Sequence, residues 1–296
     1  LITAPIGGTL ADRWQRSKLL AVIWGLKSFT YILFSIVVIT DRTAVWHIFT
    51  FVTIIGLLQS TGFPARNSII PEVVPKKYVV NAFALELLTS SILLLIIPTL
   101  AGLSIAHQGP GYTLLFGALL YGSSAIAVGT ISTVVPNKPK IDEPSLIREF
   151  TDGIRYVITN PILLPIVFMG ASIYLLVVPT VHGLLPVYAS EVFDVGPVGL
   201  GMMGSALGFG SALGTITVAS IYTLQHKGLI LIGALSLSSI AAIALSQCVS
   251  LVTALPFIVL VNLGFDTFAT VRSASIQLIT PNTIRGRATA INSMGT

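Results

Sequence analysis

Long, uninterrupted apolar runs constrain this chain more than any other feature of its sequence. About 20 mostly apolar residues cross a bilayer as one helix, and eight runs reach that length. They lie at 19–39, 45–63, 82–105, 112–134, 161–182, 197–222, 229–247 and 252–271. The segments 1–11 and 288–296 have the composition of a span's end and a span's beginning, so we interpret the chain as truncated at both ends. The sequence therefore predicts an all-α, multi-pass membrane protein.

The scarcity of charge excludes several classes of protein. Only 9% of the residues are charged and 54% are apolar, whereas a soluble domain carries about 25% charged residues. A soluble enzyme and a nucleic-acid-binding domain are both excluded by this composition. One cysteine and four scattered histidines offer no disulfide framework and no metal-ligand spacing. We therefore expect neither a metal nor a cofactor.

The basic residues are concentrated in every second loop. Five segments hold 14 of the 16 lysines and arginines, namely 12–18, 64–80, 135–160, 223–228 and 272–287. Basic residues in short loops mark the cytoplasmic side of a membrane. The pattern predicts that these five segments are cytoplasmic, in a plasma membrane of bacterial type, and it explains the net charge of +5 without nucleic acid.

The chain contains a repeat at an offset of 206 residues. Arg66 and Pro75 recur as Arg272 and Pro281, each pair between two spans. Parallel repeats of this kind build many transporters, so we predict two six-helix bundles, both incomplete here, at 1–134 and 161–296. The segment 135–160 joins them. Its later part has apolar residues at every fourth position, which predicts an amphipathic helix on the membrane surface; a plain covalent linker is the alternative.

The first loop resembles the signature of the major facilitator superfamily, which runs Gly-x-Leu-Ala-Asp-Arg-x-Gly-Arg. Here Gly8 to Arg16 read GTLADRWQR, with Gln15 in place of the second glycine, and Arg285-Gly286-Arg287 follows much later. These features are similar to those of the branch that contains enterobactin and macrolide exporters. The resemblance implies the major facilitator fold, here about helices two to eleven. It also implies alternating-access transport of a small molecule by a monomer in the lipid bilayer, with protons as the coupling ion.

The resemblance also implies a cytoplasmic gate. In the family, the motif's Asp meets the start of helix eleven, because an anion is stabilised at a helix N-terminus. The residues that match this gate or its repeat are Gly8, Asp12, Arg13, Arg16, Arg66, Arg272, Arg285 and Arg287. The alternative is that these charges only set the topology of the loops.

Three ionisable residues fall inside or near predicted spans, where such residues are rare and usually functional. Asp266 lies one helical turn after Asn262, and we predict that this pair binds a proton or a cationic substrate; a gate or cap role is the alternative. Lys27 is expected to snorkel toward the membrane surface or to pair. Glu86 is expected to be a carboxylate near a helix start.

Small residues predict a close contact between two helices. Pro98 and Gly102 weakly match an antiporter motif, and Gly204 and Gly208 belong to a glycine-rich span. Small residues spaced by four allow helices to approach closely. The resemblance places these two helices at the interface of the bundles, where a sliding contact or ordinary tight packing would serve.

The leading functional hypothesis is a secondary active exporter of small amphiphilic, drug-like or siderophore-like molecules. A lysophospholipid flippase and a transport-inactive membrane scaffold are the alternatives. No phosphate-binding loop and no cluster of catalytic residues occurs in the sequence, so neither an ATP-driven pump nor an enzyme is expected.

Overall fold

Eight long helices form the described part of the protein. The computed structural model describes residues 15–131, 155, 158–161, 163–220 and 227–279, and no strand occurs among them. The helices are α1 Arg16–Ile39, α2 Val45–Val73, α3 Val79–Gln108, α4 Pro110–Gly129, α5 Leu163–Val187, α6 Gly196–Ser220, α7 Lys227–Leu245 and α8 Leu251–Ile279. A short 3-10 turn, Lys76–Tyr78, precedes α3, and a π-helical turn, Tyr188–Val192, follows α5.

The helices have the length and composition of membrane spans. Within the described residues, seven of them contain a span-length apolar window, and α5 contributes the shorter apolar stretch Leu163–Ile173. Large apolar side chains such as Phe168 and Leu175 are more than 70% exposed, which suits contact with lipid rather than water. The prediction of an all-α membrane protein is confirmed.

Two helices continue past the apolar runs that predicted them. The segments 64–80 and 272–287 were expected to be loops, but α2 extends to Val73 and α8 to Ile279. Arg66 and Arg272 therefore lie within helices. The expectation was wrong because hydropathy marks where the hydrocarbon ends, whereas a helix that satisfies its own backbone hydrogen bonds can continue into the interface.

The helix boundaries repeat at the offset seen in the sequence. Both α2 and α8 have 29 residues, and Val45 and Val73 plus 206 give Leu251 and Ile279. The ends of α1 and α7, Ile39 and Leu245, differ by the same number. Arg66 and Arg272 thus stand seven residues before the ends of equivalent helices. The internal repeat is therefore present in the secondary structure as well as in the sequence.

The chain divides into two units by its internal packing. Unit 1 comprises Leu1–Ser90 and Leu103–Lys140, and unit 2 comprises Ser91–Gly102 and Ile141–Thr296. The middle of α3 thus groups with unit 2. The predicted amphipathic helix falls largely on residues 135–154, which lie outside the described residues.

Unit 1 is built on the contact between α1 and α4. Ser28 donates a hydrogen bond to the carbonyl of Ala118 at 2.7 Å, and Ser35 donates one to the carbonyl of Gly111 at 2.8 Å. Both serines are buried. In a membrane, small residues let helices approach and hydroxyl groups join them, and these two serines form such bonds between α1 and α4.

Unit 2 is built on α8, which packs against α6 and α7. Its core contains Val181, Met203, Ala254, Ile258 and Val261. Glycines allow the backbones to meet: a Cβ added to Gly264 would lie 2.5 Å from the carbonyl oxygen of Ala234. The polar residues of the candidate site project from this tightly packed helix.

Candidate functional site

A cluster of polar side chains lies among α5, α6 and α8 of unit 2. Asn262 donates from Nδ2 to the carboxylate of Asp266 at 3.2 Å and to the carbonyl of Leu207 at 2.8 Å. Ser211 of α6 lies close to Asp266. His182 of α5 is an electrostatic neighbour of Asp266. The sequence predicted only the Asn262–Asp266 pair, which the structure brings together.

The local structure explains why these groups meet. Residues four apart lie on the same face of a helix, so Asn262 and Asp266 form one polar strip on α8. Asp266 is 15 residues from Leu251 and 13 from Ile279, which places it near the middle of the helix. Asn262 is 5% exposed, and its bond to Leu207 ties the strip to the backbone of α6.

His182 was missed as a site residue. It was placed at the end of a predicted span, but α5 continues to Val187, so His182 lies inside the helix. Its ring centroid is 6.1 Å from that of Phe265, the neighbour of Asp266. The only signal in the sequence was a lone histidine close to a span end, which does not identify a partner on another helix.

Two ion pairs join helices of unit 1. Arg66 of α2 donates from Nη2 to Oε1 of Glu86 on α3 at 2.6 Å, with 46% and 32% of the side chains exposed. Arg16 of α1 pairs with Glu72 of α2. The sequence predicted that Arg66 binds an acidic group or a carbonyl near a helix end, and the structure supplies Glu86. The pairing of Arg16 with Glu72 was not predicted.

Arg272, the repeat equivalent of Arg66, has a different environment. It is 1% exposed, and its guanidinium packs where a side chain on Gly170 of α5 would otherwise stand. The repeat therefore conserves the position of the arginine on the helix but not its exposure.

Lys27 is buried rather than directed to the membrane surface. It is 2% exposed and donates a hydrogen bond to Oε1 of Gln59. Its Nζ stands 5.1 Å from the ring centroid of Tyr121. Of the two expectations for Lys27, snorkelling and pairing, the structure shows no snorkelling, and the partner it gives is the neutral amide of Gln59.

The small residues of α3 and α6 meet within unit 2. A Cβ added to Gly208 would lie 2.5 Å from the carbonyl oxygen of Leu94, and one added to Gly204 would lie 2.8 Å from Cβ of Pro98. Gly102 faces Pro197 and Gly201 in the same way. The hydroxyls of Thr99 and Ser205 are 2.7 Å apart. The backbones of the two helices are thus in direct contact over several turns.

The remaining predicted gate residues lie outside the described part of the chain. They are Gly8, Asp12, Arg13, Arg285 and Arg287. Within the part of the chain that is described, no group of three His, Cys, Asp or Glu side chains could hold a metal ion. The chemistry open to the described polar groups is the binding and release of protons or of charged and hydrogen-bonding ligands.

Comparison with known protein families identifies a transporter family whose model matches the chain. A model of the major facilitator superfamily, described as transmembrane secretion effector, matches residues 1–295. The chain belongs to this family. The expected superfamily is therefore confirmed, and the solved neighbours named below are transporters rather than enzymes.

Curated relatives include enterobactin exporters. Those of Shigella boydii and Salmonella typhi are each 24% identical over 234 residues, which is 77% of this chain and 53% and 54% of the respective relatives. The chain thus spans about half the length of the curated relatives it matches. The expected similarity to the enterobactin-exporter branch is confirmed.

Solved structures share the fold at low identity. A bacterial homologue of the lysosomal transporter Spinster, inward-facing, has a TM-score of 0.68 at 15% identity and covers 100% of this chain and 68% of its own. An inward-facing bacterial homologue of the iron transporter ferroportin has a TM-score of 0.68 at 17% identity, covering 100% of this chain and 76% of its own. These likenesses establish the major facilitator fold.

Proposed function

We propose that this protein is a proton-coupled exporter that moves small amphiphilic, drug-like or siderophore-like molecules across the bacterial plasma membrane by alternating access. Its family membership and the enterobactin exporters among its relatives support this proposal. The sidedness of the basic segments supports a cytoplasmic location for 12–18, 64–80, 135–160, 223–228 and 272–287. We propose that the protein acts as a monomer.

The observation that carries the proposal is the Asp266 cluster. Ionisable side chains inside a membrane mark ion and substrate pathways, and here the carboxylate of Asp266 binds the amide of Asn262 and has the imidazole of His182 as an electrostatic neighbour. Asp266 can be neutralised by a proton or by a cationic group. In this proposal it carries the coupling proton, and His182 stabilises the carboxylate after the proton leaves.

Asn262 gives the cluster a mechanical link to the helices around it. One hydrogen of its amide binds Asp266 on the same helix, and the amide also binds the backbone of α6 at Leu207. A shift of α6 along α8 would break or reorient these bonds and change the surroundings of Asp266. Alternating access requires such a change, since the proton must bind on one side and leave on the other.

The ion pairs of unit 1 support a gate of connected helices. Arg16 with Glu72 joins α1 to α2, and Arg66 with Glu86 joins α2 to α3. In the proposed mechanism these pairs hold the cytoplasmic ends of the helices together as one moving body. Asp12 would close the gate against the region of Arg287, as the family resemblance implies.

The test is proton release by the purified full-length protein, with enterobactin as the first substrate to be tried. Wild type should release protons when substrate binds, and Asp266→Asn should abolish that release and gradient-driven export while substrate exchange persists. Asp194→Asn is the matched control, because Asp194 is exposed outside the helices, and it should behave as wild type.

Two outcomes would contradict the assignment of Asp266. Equal proton release by wild type and Asp266→Asn would end its role in coupling. Loss of substrate binding by Asp266→Asn, measured by calorimetry, would make Asp266 a substrate-binding residue instead. His182→Gln should retain binding and slow proton release if the imidazole stabilises the carboxylate.

A further inference from the structure

A pocket inside unit 1 brings two cationic side chains together between α1, α2 and α4. Its volume is about 290 Å³, and its walls include Trp24, Lys27, Gln59, Arg66, Tyr121 and Ser124. The spacing explains the convergence: Gln59, Gly62 and Arg66 lie at i, i+3 and i+7 on one face of α2, and Lys27 follows Trp24 by three on α1. Hydrogen-bond donors and aromatic rings therefore face one space.

The charges in this pocket do not balance among the described residues. Arg66 has Glu86 as its counter-charge. Lys27 contacts only neutral groups in the described contacts, the amide oxygen of Gln59 and the ring of Tyr121, and neither of the two ion pairs found there includes it. Burial of an ammonium without a counter-charge is unfavourable, because the charge loses its hydration and gains no opposite charge. A bound anion would offset that cost.

The internal repeat shows that the fold does not require this lysine. At the offset of 206 residues, Lys27 corresponds to Gly233 and Gln59 to Phe265. Helices α7 and α8 pack against each other without the polar pair. The lysine and its glutamine are therefore not needed for a helix pairing of this type.

We propose that this pocket binds the anionic head, a phosphate or a carboxylate, of an amphiphilic molecule. Lys27 supplies the charge, Gln59 and Ser124 supply hydrogen bonds, and Trp24, Leu58 and Tyr121 cover the first carbons of the apolar part. The source of the head group is either a membrane lipid or a soluble amphiphile. The pocket lies in unit 1, whereas the Asp266 cluster lies in unit 2.

Tryptophan fluorescence can report on this pocket directly. The given sequence has three tryptophans, at positions 14, 24 and 46. Replacing Trp14 and Trp46 by phenylalanine leaves Trp24 as the single tryptophan of this sequence. Any tryptophan elsewhere in the full-length protein is replaced as well. Dodecyl phosphate, titrated into that protein in dodecyl maltoside, should change the Trp24 signal saturably. Lys27→Met should weaken the apparent affinity tenfold or more, and Lys27→Arg should retain most of it.

Lys18→Met is the matched control, because Lys18 is an exposed lysine on the same helix and does not line the pocket. It should bind dodecyl phosphate as wild type does. Unchanged binding by Lys27→Met would overturn the proposal, and so would an equal loss in Lys18→Met, which would indicate general surface attraction. Absence of saturable binding by wild type would overturn it as well, since a carboxylate of the protein would then balance Lys27.

Two further binding experiments identify the source of the anion. Inorganic phosphate should give no Lys27-dependent signal; if it saturates the site as dodecyl phosphate does, the amphiphile part of the proposal is wrong. In nanodiscs, replacement of phosphatidylcholine by phosphatidylglycerol should weaken binding of dodecyl phosphate if a lipid head occupies the pocket. Equal binding in both nanodiscs supports a soluble amphiphile as the occupant.

Discussion

At the scale of single residues, the burial of Arg272 depends on the absence of a side chain at Gly170. The guanidinium occupies the space that a Cβ on Gly170 would need, and Arg272 is too enclosed to move into solvent. We expect Gly170→Ala to lower the stability of the protein by about 1–3 kcal/mol, as overpacked cores do. Thermal unfolding in detergent, followed by size-exclusion fluorescence, measures this loss.

A double-mutant cycle isolates the contact. Gly170→Ala should cost much less in an Arg272→Ala background, because the space is then vacated and the two changes are coupled. Gly233→Ala is the control, since nothing lies within 4 Å of the added Cβ, and it should not lower the melting temperature. An equal cost of Gly170→Ala in both backgrounds would contradict the packing described here.

The same scale shows why partners are hard to infer from sequence. Asp266 stood out because carboxylates are rare in spans, and Asn262 followed from helical spacing, so half of the cluster was predictable. His182 and Ser211 lie on other helices, and no local sequence pattern predicts that they lie near Asp266. Lys27 stood out in the same way, but its contact with Gln59 depends on how α1 packs on α2.

At the scale of helices, the contact between α3 and α6 relies on glycine at the crossing. Gly208 meets the backbone of Leu94, which cannot move aside as a side chain can. We expect Gly208→Ala to separate the two helices, to lower stability by about 1–3 kcal/mol and to slow export. Gly204→Ala should have a smaller effect, because its Cβ would meet only the side chain of Pro98.

The control for this contact is Gly56→Ala in α2, where the added Cβ has no neighbour within 4 Å. Unfolding temperature and export rate in reconstituted vesicles are the measurements. If Gly56→Ala and Gly208→Ala were equally harmful, glycine would matter for the helices themselves and not for their contact. The spacing of glycines along the sequence predicted this close approach. It did not predict the hydrogen bond between the hydroxyls of Thr99 and Ser205, which lie on different helices.

Helix existence was predictable and helix ends were not. Each of the eight apolar runs corresponds to a helix, because a bilayer allows few other ways to satisfy the backbone. The ends of α2 and α8 lie several residues beyond the runs, since the helical hydrogen bonds do not stop where lipid does. As a consequence, Arg66 and Arg272 lie on helices, which fix their positions, and not in loops.

At the scale of the whole molecule, the alternation of basic loops predicts the membrane topology, and the described helices define the crossings. Lys18 at the start of α1 and Lys77 between α2 and α3 are predicted to be cytoplasmic, whereas Asp41 between α1 and α2 is predicted to face outward. All three are exposed, so a cysteine at each position would be accessible to a labelling reagent.

The last prediction is that single cysteines at these positions report opposite sides of the membrane. In full-length protein whose native cysteines, including Cys248, are replaced by serine, an impermeant maleimide added to intact bacteria should label Asp41→Cys. Lys18→Cys and Lys77→Cys should react only after the membrane is opened, because α1 to α3 each cross it once. Labelling of Lys77→Cys and Asp41→Cys from the same side would mean that α2 does not span the membrane. Both the positive-inside assignment and the alternating-access proposal would then be wrong, since each requires that crossing.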